Sequence, residues 1–494
     1  MARISVLASN SVVRDIRIIK EADSLSNAGH DVTVVGLMDN HATESETRRA
    51  SGAFISRRDY RKYILAIRVL GRVAIRSTLL AAAAAAIFAA GFFAAPPSNE
   101  LAIWVDKNSI VGGPIVGGVV ATAVLALFYF QIAGPQIATI FRGILLLFGV
   151  LLPDPKNPIV QPKPPALKKI STILLRAIGK IILRSELAIG AIKANPEIIH
   201  CHDLGTLPSG VKAKEKTGAR LVFDAHEIYE DLAQANAKMK RANQQLLKRY
   251  EGDVDEFITI NDSIADFYAK HYPKLPPAVI IKNATLKADP FEYDGRMHEA
   301  AALPREQKIL LYQGGFATKR GLDILVQSAQ WLRQDWTLIM MGWGGHEEIL
   351  RDAGASVLQA TRATRKYPAL VFLPPAPHEE LAQWTAGGSI GVIPYERVGL
   401  NHLFCTPNKL WEYPNAGVPI LCSPLVEMTK TVNENGIGWL LPQDLTPENL
   451  AATVNALSDS DIAKAGDACR PYLERDNWTV YEKRLLDLYT NLLK

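Results

Sequence analysis

Residues 406–419 read TPNKLWEYPNAGVP, and the organisation of the chain follows from how this stretch is punctuated. Leu410 and Trp411 are apolar, helix formers surround them, and Gly417 and Pro419 form a stop, so the spacing predicts a short helix opening after Pro407 and ending at Gly417. The segment VPILCSP that follows predicts a short buried strand. A helix N-terminus carries unpaired N–H groups and partial positive charge, which suits a phosphate or an electron-rich sugar oxygen. Glu412, one turn further in, can accept hydrogen bonds from hydroxyls. Together these features suit a nucleotide-sugar.

Upstream, KILLYQGGFATKRGLDILVQSAQ begins at Lys308. An apolar strand runs into Gly314 and Gly315, and Leu322, Leu325, Val326 and Ala329 form the apolar stripe of a helix starting near Arg320. A glycine turn lets backbone approach a phosphate, and Lys319 or Arg320 would neutralise it. WTLIMMGWG is a further strand ending in a glycine turn, and VFLPPAPHEELAQWTAGGSIGVIPY supplies two more strands around a helix. At the C-terminus, TPENLAATVNALSD and NWTVYEKRLLDLYTNLL read as amphipathic helices.

The N-terminal half carries a second set of β-α-β patterns. Ile4 to Ala8 predicts a buried strand, Ile16, Ile19, Ala22 and Leu25 recur at helical spacing, and Val32 to Val35 predicts the next strand. The loop between them has no GxGxxG, so the dinucleotide fingerprint is missing where a dehydrogenase would show it. Further on, NPEIIHCHDLG is a strand ending in His200, Cys201, His202 and Asp203, and GARLVFDAHEIYEDL is a strand ending in Asp224, His226 and Glu227. Polar clusters at the carboxyl ends of parallel strands are where α/β sheets build sites. Alternation in HCHD sends both histidines to one face, so His200, His202 and Asp203 could orient a substrate, bind a metal or satisfy one another in a core.

Between these halves lies an apolar region. Residues 77–95 carry no charge and are long enough, at about 1.5 Å per residue, to cross about 30 Å of hydrocarbon. Residues 110–130 form a second such run, Gly-rich as close-packing membrane helices often are, so the pair predicts a transmembrane hairpin. Residues 136–152 contain Arg142 and are bounded by prolines, which favours an interfacial helix over a third span. Arg57, Arg58, Arg61, Lys62, Arg68, Arg72 and Arg76 precede the first span and only Lys107 lies in the connecting loop, which places the flanks in the cytoplasm. Six prolines in residues 153–165 predict an extended connector back to a soluble domain.

Composition narrows the alternatives. The chain has 494 residues, enough for two or three units, and a net charge of only +5. No basic stripe with interleaved aromatics occurs, so a nucleic-acid partner is not expected. Cys201, Cys405, Cys422 and Cys469 are scattered without a CxxC spacing, which fits a reducing compartment and no disulfide framework. The strand at Ile4 leaves no room for a cleavable signal peptide at Met1.

Residues 406–419 resemble the PNKxxEYxxxGxP signature of glycosyltransferase family 4. The segment from Tyr312 to Leu325 resembles its YxGxxxxxRGLxxL donor-site motif, HCHD and DAHE resemble its HxHD and DxHE motifs, and residues 1–40 resemble its first acceptor-side unit. The resemblance covers residues 1–40 and 185–494 and leaves the apolar insert outside. It implies an α/β fold of two doubly wound Rossmann-like domains facing a cleft, the GT-B arrangement, here with an inserted transmembrane helical hairpin. The acceptor-side domain would be residues 1–60 and 166–290, the membrane insert 73–152, the nucleotide-sugar domain 306–470, and a crossover helix 471–494.

The same resemblance implies a retaining transfer of a sugar from a nucleotide-sugar to an acceptor, which the hairpin suggests is membrane-borne and lipid-linked, in cell-surface polysaccharide synthesis at the cytoplasmic face of a bacterial inner membrane. His202, Asp203, Arg320 and Lys409 would be catalytic, and Gly314, Gly315, Lys319, Asn408, Glu412 and His226 would bind substrate. No DxD-like signature lies near the donor motif, so no metal and no cofactor beyond the donor itself are expected. One departure is Phe404, where many members place a glutamate that contacts the donor sugar. Two other readings stay open: a nucleotide-sugar epimerase on the same fold, which would turn over donor without acceptor, and a non-catalytic membrane scaffold, which would bind no nucleotide-sugar.

Overall fold

The computed structural model describes residues 1–13, 15–63, 166–232 and 235–494, with side chains of the Ala166–Lys193 helix described from residue 177 onward. The expected spans 77–95 and 110–130, the interfacial helix 136–152 and the connector 153–165 lie outside the described residues. Among the described residues no helix is long and apolar enough to cross a membrane. The chain divides into one compact unit of Met1–Arg58 with Glu186–Lys494, and a second of Asp59–Ser185. The Ala166–Lys193 helix runs through that boundary, and among its described side chains, from residue 177 onward, the buried ones are Glu186, Leu187, Ala188 and Ala191. The compact unit that holds both sheets resumes at Glu186.

The large unit contains two sheets. The first has β1 (Arg3–Leu7), β2 (Asp31–Leu37), β3 (Glu46–Arg48), β4 (Phe54–Arg58), β5 (Ile198–His202), β6 (Arg220–Ala225), β7 (Glu256–Thr259) and β8 (Ala278–Ile280), in the order β3-β4-β2-β1-β5-β6-β7-β8. All its pairs are parallel except β3 with β4. The second is wholly parallel, with β9 (Lys308–Gly315), β10 (Trp336–Trp343), β11 (Leu370–Leu373), β12 (Ile390–Ile393), β13 (Ile420–Cys422) and β14 (Gly438–Leu440) in the order β11-β10-β9-β12-β13-β14. Parallel strands covered by helices on both faces read as continuous apolar runs, as in β10, which is buried from Trp336 to Gly342.

The first helix, Ile16–Asn27, is capped by the Asp15 carboxylate, which accepts from the Ile18 N–H. Its buried face is rotated from the expected stripe: Ile16 is exposed, and Arg17, Ile18, Glu21, Ala22 and Leu25 point inward. Two charged residues occupy the apolar face because they pair inside the domain. Arg57 and Arg58, expected to lie against a membrane, belong to β4 and are used internally. The Arg57 Nε donates to the Ser11 carbonyl at 2.7 Å, and Arg58 pairs with Glu186 at 2.8 Å.

The C-terminal region forms the helices Asp459–Arg475 and Trp478–Leu492, separated at Asp476 and Asn477. Trp478–Leu492 lies against the first sheet's layer: the Trp478 Nε1 donates to Ser24 Oγ at 3.2 Å, and the Tyr489 hydroxyl meets His200 Nδ1 at 2.7 Å. Loops bridge the two sheets through side-chain and backbone hydrogen bonds. Asn401 accepts from the Ile228 N–H at 2.6 Å, Asn261 Nδ2 donates to the Phe404 carbonyl at 2.7 Å, and Asn283 Nδ2 donates to Asn408 Oδ1 at 2.9 Å.

Candidate active site

On the second sheet, β9 ends in a turn whose shape depends on glycine. Gly314 has φ +116°, and a β-carbon on Gly342 of the neighbouring strand would stand 1.9 Å from the Gly314 carbonyl oxygen. Gly321, at φ +64°, packs so closely on the Pro394 carbonyl that a β-carbon would lie 2.0 Å from it. The turn thus delivers Arg320 to the carboxyl edge of β9. Arg320 Nη1 donates to the Gly315 carbonyl at 3.3 Å, and its guanidinium lies 5.3 Å from the Tyr395 ring centre. Lys319 points the other way, exposed and 3.5 Å from Glu396. Of the two basic residues, Arg320 faces the turn.

The helix opening the decisive stretch runs Lys409–Asn415, with Leu410, Trp411 and Tyr413 at 1 % exposure or less. The Tyr413 ring fills the space above Gly391, and its hydroxyl donates to the Leu311 carbonyl at 3.1 Å, locking the helix onto β9 and β12. Gly417, at φ +73°, ends the turn. Lys409, 6 % exposed, holds its ammonium over Gly314, 5.2 Å from the Tyr312 ring centre and 5.9 Å from that of Tyr395. No carboxylate of the described residues lies within 4.0 Å of it. A buried cation without a counter-ion is costly, so this one is poised for an anion. Glu412, half-buried, accepts from Gln313 Nε2 at 3.0 Å, and Gln313 in turn accepts from the Thr385 hydroxyl at 2.7 Å. No lysine or arginine of the described residues lies within 4.0 Å of Glu412, so it is not neutralising a surface cation.

On the first sheet, β5 and β6 end side by side. His200 and His202 stack with ring centres 4.3 Å apart. Asp224 is fully buried and takes both Arg17 Nη2 at 2.8 Å and Nε at 3.0 Å. Burial alone would lift its carboxyl, but the Arg17 guanidinium, helped by the neighbouring histidines, holds it well below the usual carboxylate range. His226, 21 % exposed at its side chain, places Nε2 at 3.0 Å from Asp224 Oδ2. Burial pushes its imidazole down, but Asp224 outweighs this and raises it to about 9.

Of the three site residues expected at these strand ends, His202, Asp203 and His226, not all face open space. His226 lines a cavity of about 470 Å³ between the sheets, together with Asn10, Asp15, Arg17, Asp39 and Asn408. His202 does not: it is 1 % exposed and stands behind His226, its Nδ1 3.3 Å away, so in this conformation it cannot touch a substrate directly. Asp203 sits at φ +65° at the start of the next helix, accepts from the Tyr229 hydroxyl at 2.8 Å and lies 3.6 Å from His226 Nδ1. Glu412 opens onto a second cavity, of about 600 Å³, that shares Asn408 and Asn283 with the first. Asn408 therefore joins the acceptor-side and donor-side groups.

Sequence reading overlooked Glu21, Gln313 and Tyr489. Their signal was a polar group where periodicity asks for an apolar one: Glu21 one turn after Arg17 on a buried helix face, Gln313 at the end of an apolar strand, Tyr489 on the inner face of the last helix.

Comparison with known proteins agrees with this architecture. The family described as "Glycosyltransferase Family 4" matches residues 150–285, and that described as "Glycosyl transferases group 1" matches residues 307–460. The chain is 22 % identical over 312 residues to D-inositol 3-phosphate glycosyltransferase of Streptomyces avermitilis, covering 60 % of this chain and 65 % of that protein, a little under two thirds of its length. Sucrose-phosphate synthase from Thermosynechococcus elongatus superposes with TM-score 0.64 at 13 % identity, covering 100 % of this chain and 99 % of that one. HepE from Anabaena, in complex with UDP and glucose, superposes with TM-score 0.51 at 13 % identity over 63 % of this chain and 81 % of that one. Two parallel Rossmann-like sheets facing a shared cleft define the GT-B class of glycosyltransferases. The family matches, which together span more than half of the chain, make the assignment finer: it belongs to glycosyltransferase family 4.

Proposed function

We propose that this chain transfers a sugar, with retention of configuration, from a nucleotide-sugar to a membrane-borne, lipid-linked acceptor in cell-surface polysaccharide synthesis. The observation that carries the donor half of this reading is the Lys409 ammonium, buried without a counter-ion above the Gly314 turn. There it would meet the donor diphosphate, with Arg320 across the turn, and Glu412 would accept the ribose hydroxyls. As the glycosidic bond to the diphosphate lengthens, negative charge grows on the leaving oxygen and positive charge on the sugar. Fixed cations aimed at that oxygen stabilise the transition state more than the ground state. Lys409 and Arg320 are two such cations, so transfer would need no added Mg²⁺ or Mn²⁺. His226, protonated near neutral pH beside Asp224, would hold an acceptor or donor hydroxyl in the cleft.

The acceptor half rests on the apolar runs at 77–95 and 110–130, which we read as a hairpin anchoring the enzyme to a bacterial inner membrane with both sheets on the cytoplasmic side. A membrane anchor next to an acceptor-side domain favours an acceptor that is itself held in the bilayer. The fold shared with HepE, which was solved with UDP and glucose, makes UDP-sugars the first donors to test. The decisive experiment incubates the full chain and native membranes with a panel of radiolabelled nucleotide-sugars and extracts lipid. Label entering the lipid fraction only with one donor supports the reading; release of free sugar or its epimer without lipid labelling for every donor overturns it.

A further inference from the structure

Beneath His226, at the closed end of the cleft, four side chains from three elements converge: Glu21 from the first helix, His200 and His202 from β5, and Asp224 from β6. All are at most 1 % exposed. Three of their polar atoms have no hydrogen-bond partner, Oε2 of Glu21 and the Nε2 of each histidine, while Glu21 Oε1 is ion-paired with Arg17 Nε at 3.1 Å. A buried donor or acceptor left unmade costs about 1–3 kcal/mol, so three at one point call for an occupant. We propose that this is a binding site for a single divalent first-row metal ion, held by Glu21, His200, His202 and Asp224, with zinc the ion its ligand chemistry fits.

The geometry supports an ion. His200 Nε2 lies 3.9 Å from Glu21 Oε2 and 3.7 Å from Asp224 Oδ2, and His202 Nε2 lies 3.7 Å from Glu21 Oε2. One donor atom from each of the four residues falls within 4.8 Å of all the others. A tetrahedral zinc with bonds of about 2.0–2.1 Å sets neighbouring ligand atoms about 3.3 Å apart, so these three separations would each close by roughly half an ångström on binding, and any wider pair by more. The second ring nitrogen of each histidine is already engaged, as the outer partners of metal-bound imidazoles are. His200 Nδ1 meets the Tyr489 hydroxyl at 2.7 Å, and His202 Nδ1 faces His226 Nε2 at 3.3 Å. Both leave Nε2 aimed inward. Two imidazoles and two carboxylates suit zinc or a neighbouring transition metal rather than Mg²⁺ or Ca²⁺, which prefer oxygen alone. Arg17, 3.1 Å from Glu21 and 2.8 Å from Asp224, and His226, 3.0 Å from Asp224, face the two carboxylates, so an entering cation would displace the proton on His226 or share the carboxylates with Arg17. The site is separate from the Lys409 and Arg320 groups of the second sheet and would brace the acceptor-side wall, fastening the last helix to the first through Tyr489.

The test uses the purified full chain, stripped with a chelator and titrated with Zn²⁺, and separately with Co²⁺ for its visible absorption. The expected result is one Zn²⁺ per chain, a rise in melting temperature that saturates at one equivalent, and Co²⁺ bands that Glu21→Gln and His200→Gln abolish. Tyr489→Phe removes only the hydroxyl that orients His200 and should weaken Zn²⁺ binding roughly 10- to 100-fold, which keeps the test open where the ligand variants do not fold. An unchanged melting temperature with no Co²⁺ bands would overturn the proposal in favour of a trapped water. Bands that survive in folded Glu21→Gln and His200→Gln, or an affinity unmoved in Tyr489→Phe, would place the metal elsewhere and overturn it equally.

Discussion

Lys409 holds its ammonium so close over Gly314 that a β-carbon on the glycine would stand 3.0 Å from it. A permissive turn and a buried cation thus form one concave wall, built from residues 95 positions apart in the chain. An anion that enters it removes the cost of the unpaired charge.

Lys409→Met keeps the volume and removes the charge. Nucleoside diphosphate affinity should fall by about 1.5–3 kcal/mol, the loss expected for a hydrogen bond to a charged group. Melting temperature should stay or rise, because the variant no longer buries an unpaired ammonium. A variant that melts lower yet binds UDP as tightly as the parent in calorimetric titration would show that Lys409 is structural.

Glu412→Gln tests the ribose contact. A carboxylate accepting two hydroxyls makes charge-assisted hydrogen bonds, so the substitution should weaken nucleotide binding by roughly 1.5–3 kcal/mol. Gln313 donates to this carboxylate, and the amide that replaces it can still accept, so folding should be preserved. Isothermal titration with UDP decides the matter, and equal affinity in a folded variant removes the assignment.

Arg320→Ala should act on turnover more than on binding. The leaving diphosphate gains charge toward the transition state, so the loss of one fixed donor should cost about 2.7–4 kcal/mol in kcat, with a smaller change in KM. Lys319→Ala is the matched control: exposed and paired with Glu396, Lys319 should change kcat little. Steady-state kinetics in which the two variants behave alike would contradict this division of roles.

The hairpin is tested by topology. A reporter fused in the loop at Asn99 and one at the C-terminus should read opposite sides of the membrane, because two spans return the chain to its starting side. The same reading from both positions would rule the hairpin out.

Much of the donor side was legible because its geometry is local. The GG turn, Arg320, and the helix from Lys409 with Glu412 one turn in are all set by backbone punctuation within about a dozen residues. What could not be read there was orientation. Lys319 and Arg320 are adjacent and chemically alike, yet Lys319 at φ +67° turns to Glu396 while Arg320 turns to Gly315. Phe404 is a similar case: the departure was plain in the sequence, but its use of a backbone carbonyl to receive Asn261 from across the cleft was not.

The sequence by itself determined the two parallel sheets and their helices, the glycine turns and the helix at 409–415, since apolar periodicity and turn residues act over short distances. Only the tertiary structure decided which polar residues meet. Arg17 and Asp224 are 207 residues apart and His200 and Tyr489 are 289 apart, joined because the order β2-β1-β5-β6 stacks the first helix, two strand ends and the last helix over one point. Periodicity reports which face of an element is buried, but the partner across that face is set by strand order. That is why His202, expected to act on substrate, is found behind His226, and why Glu21, which the sequence reading passed over, is buried on the first helix.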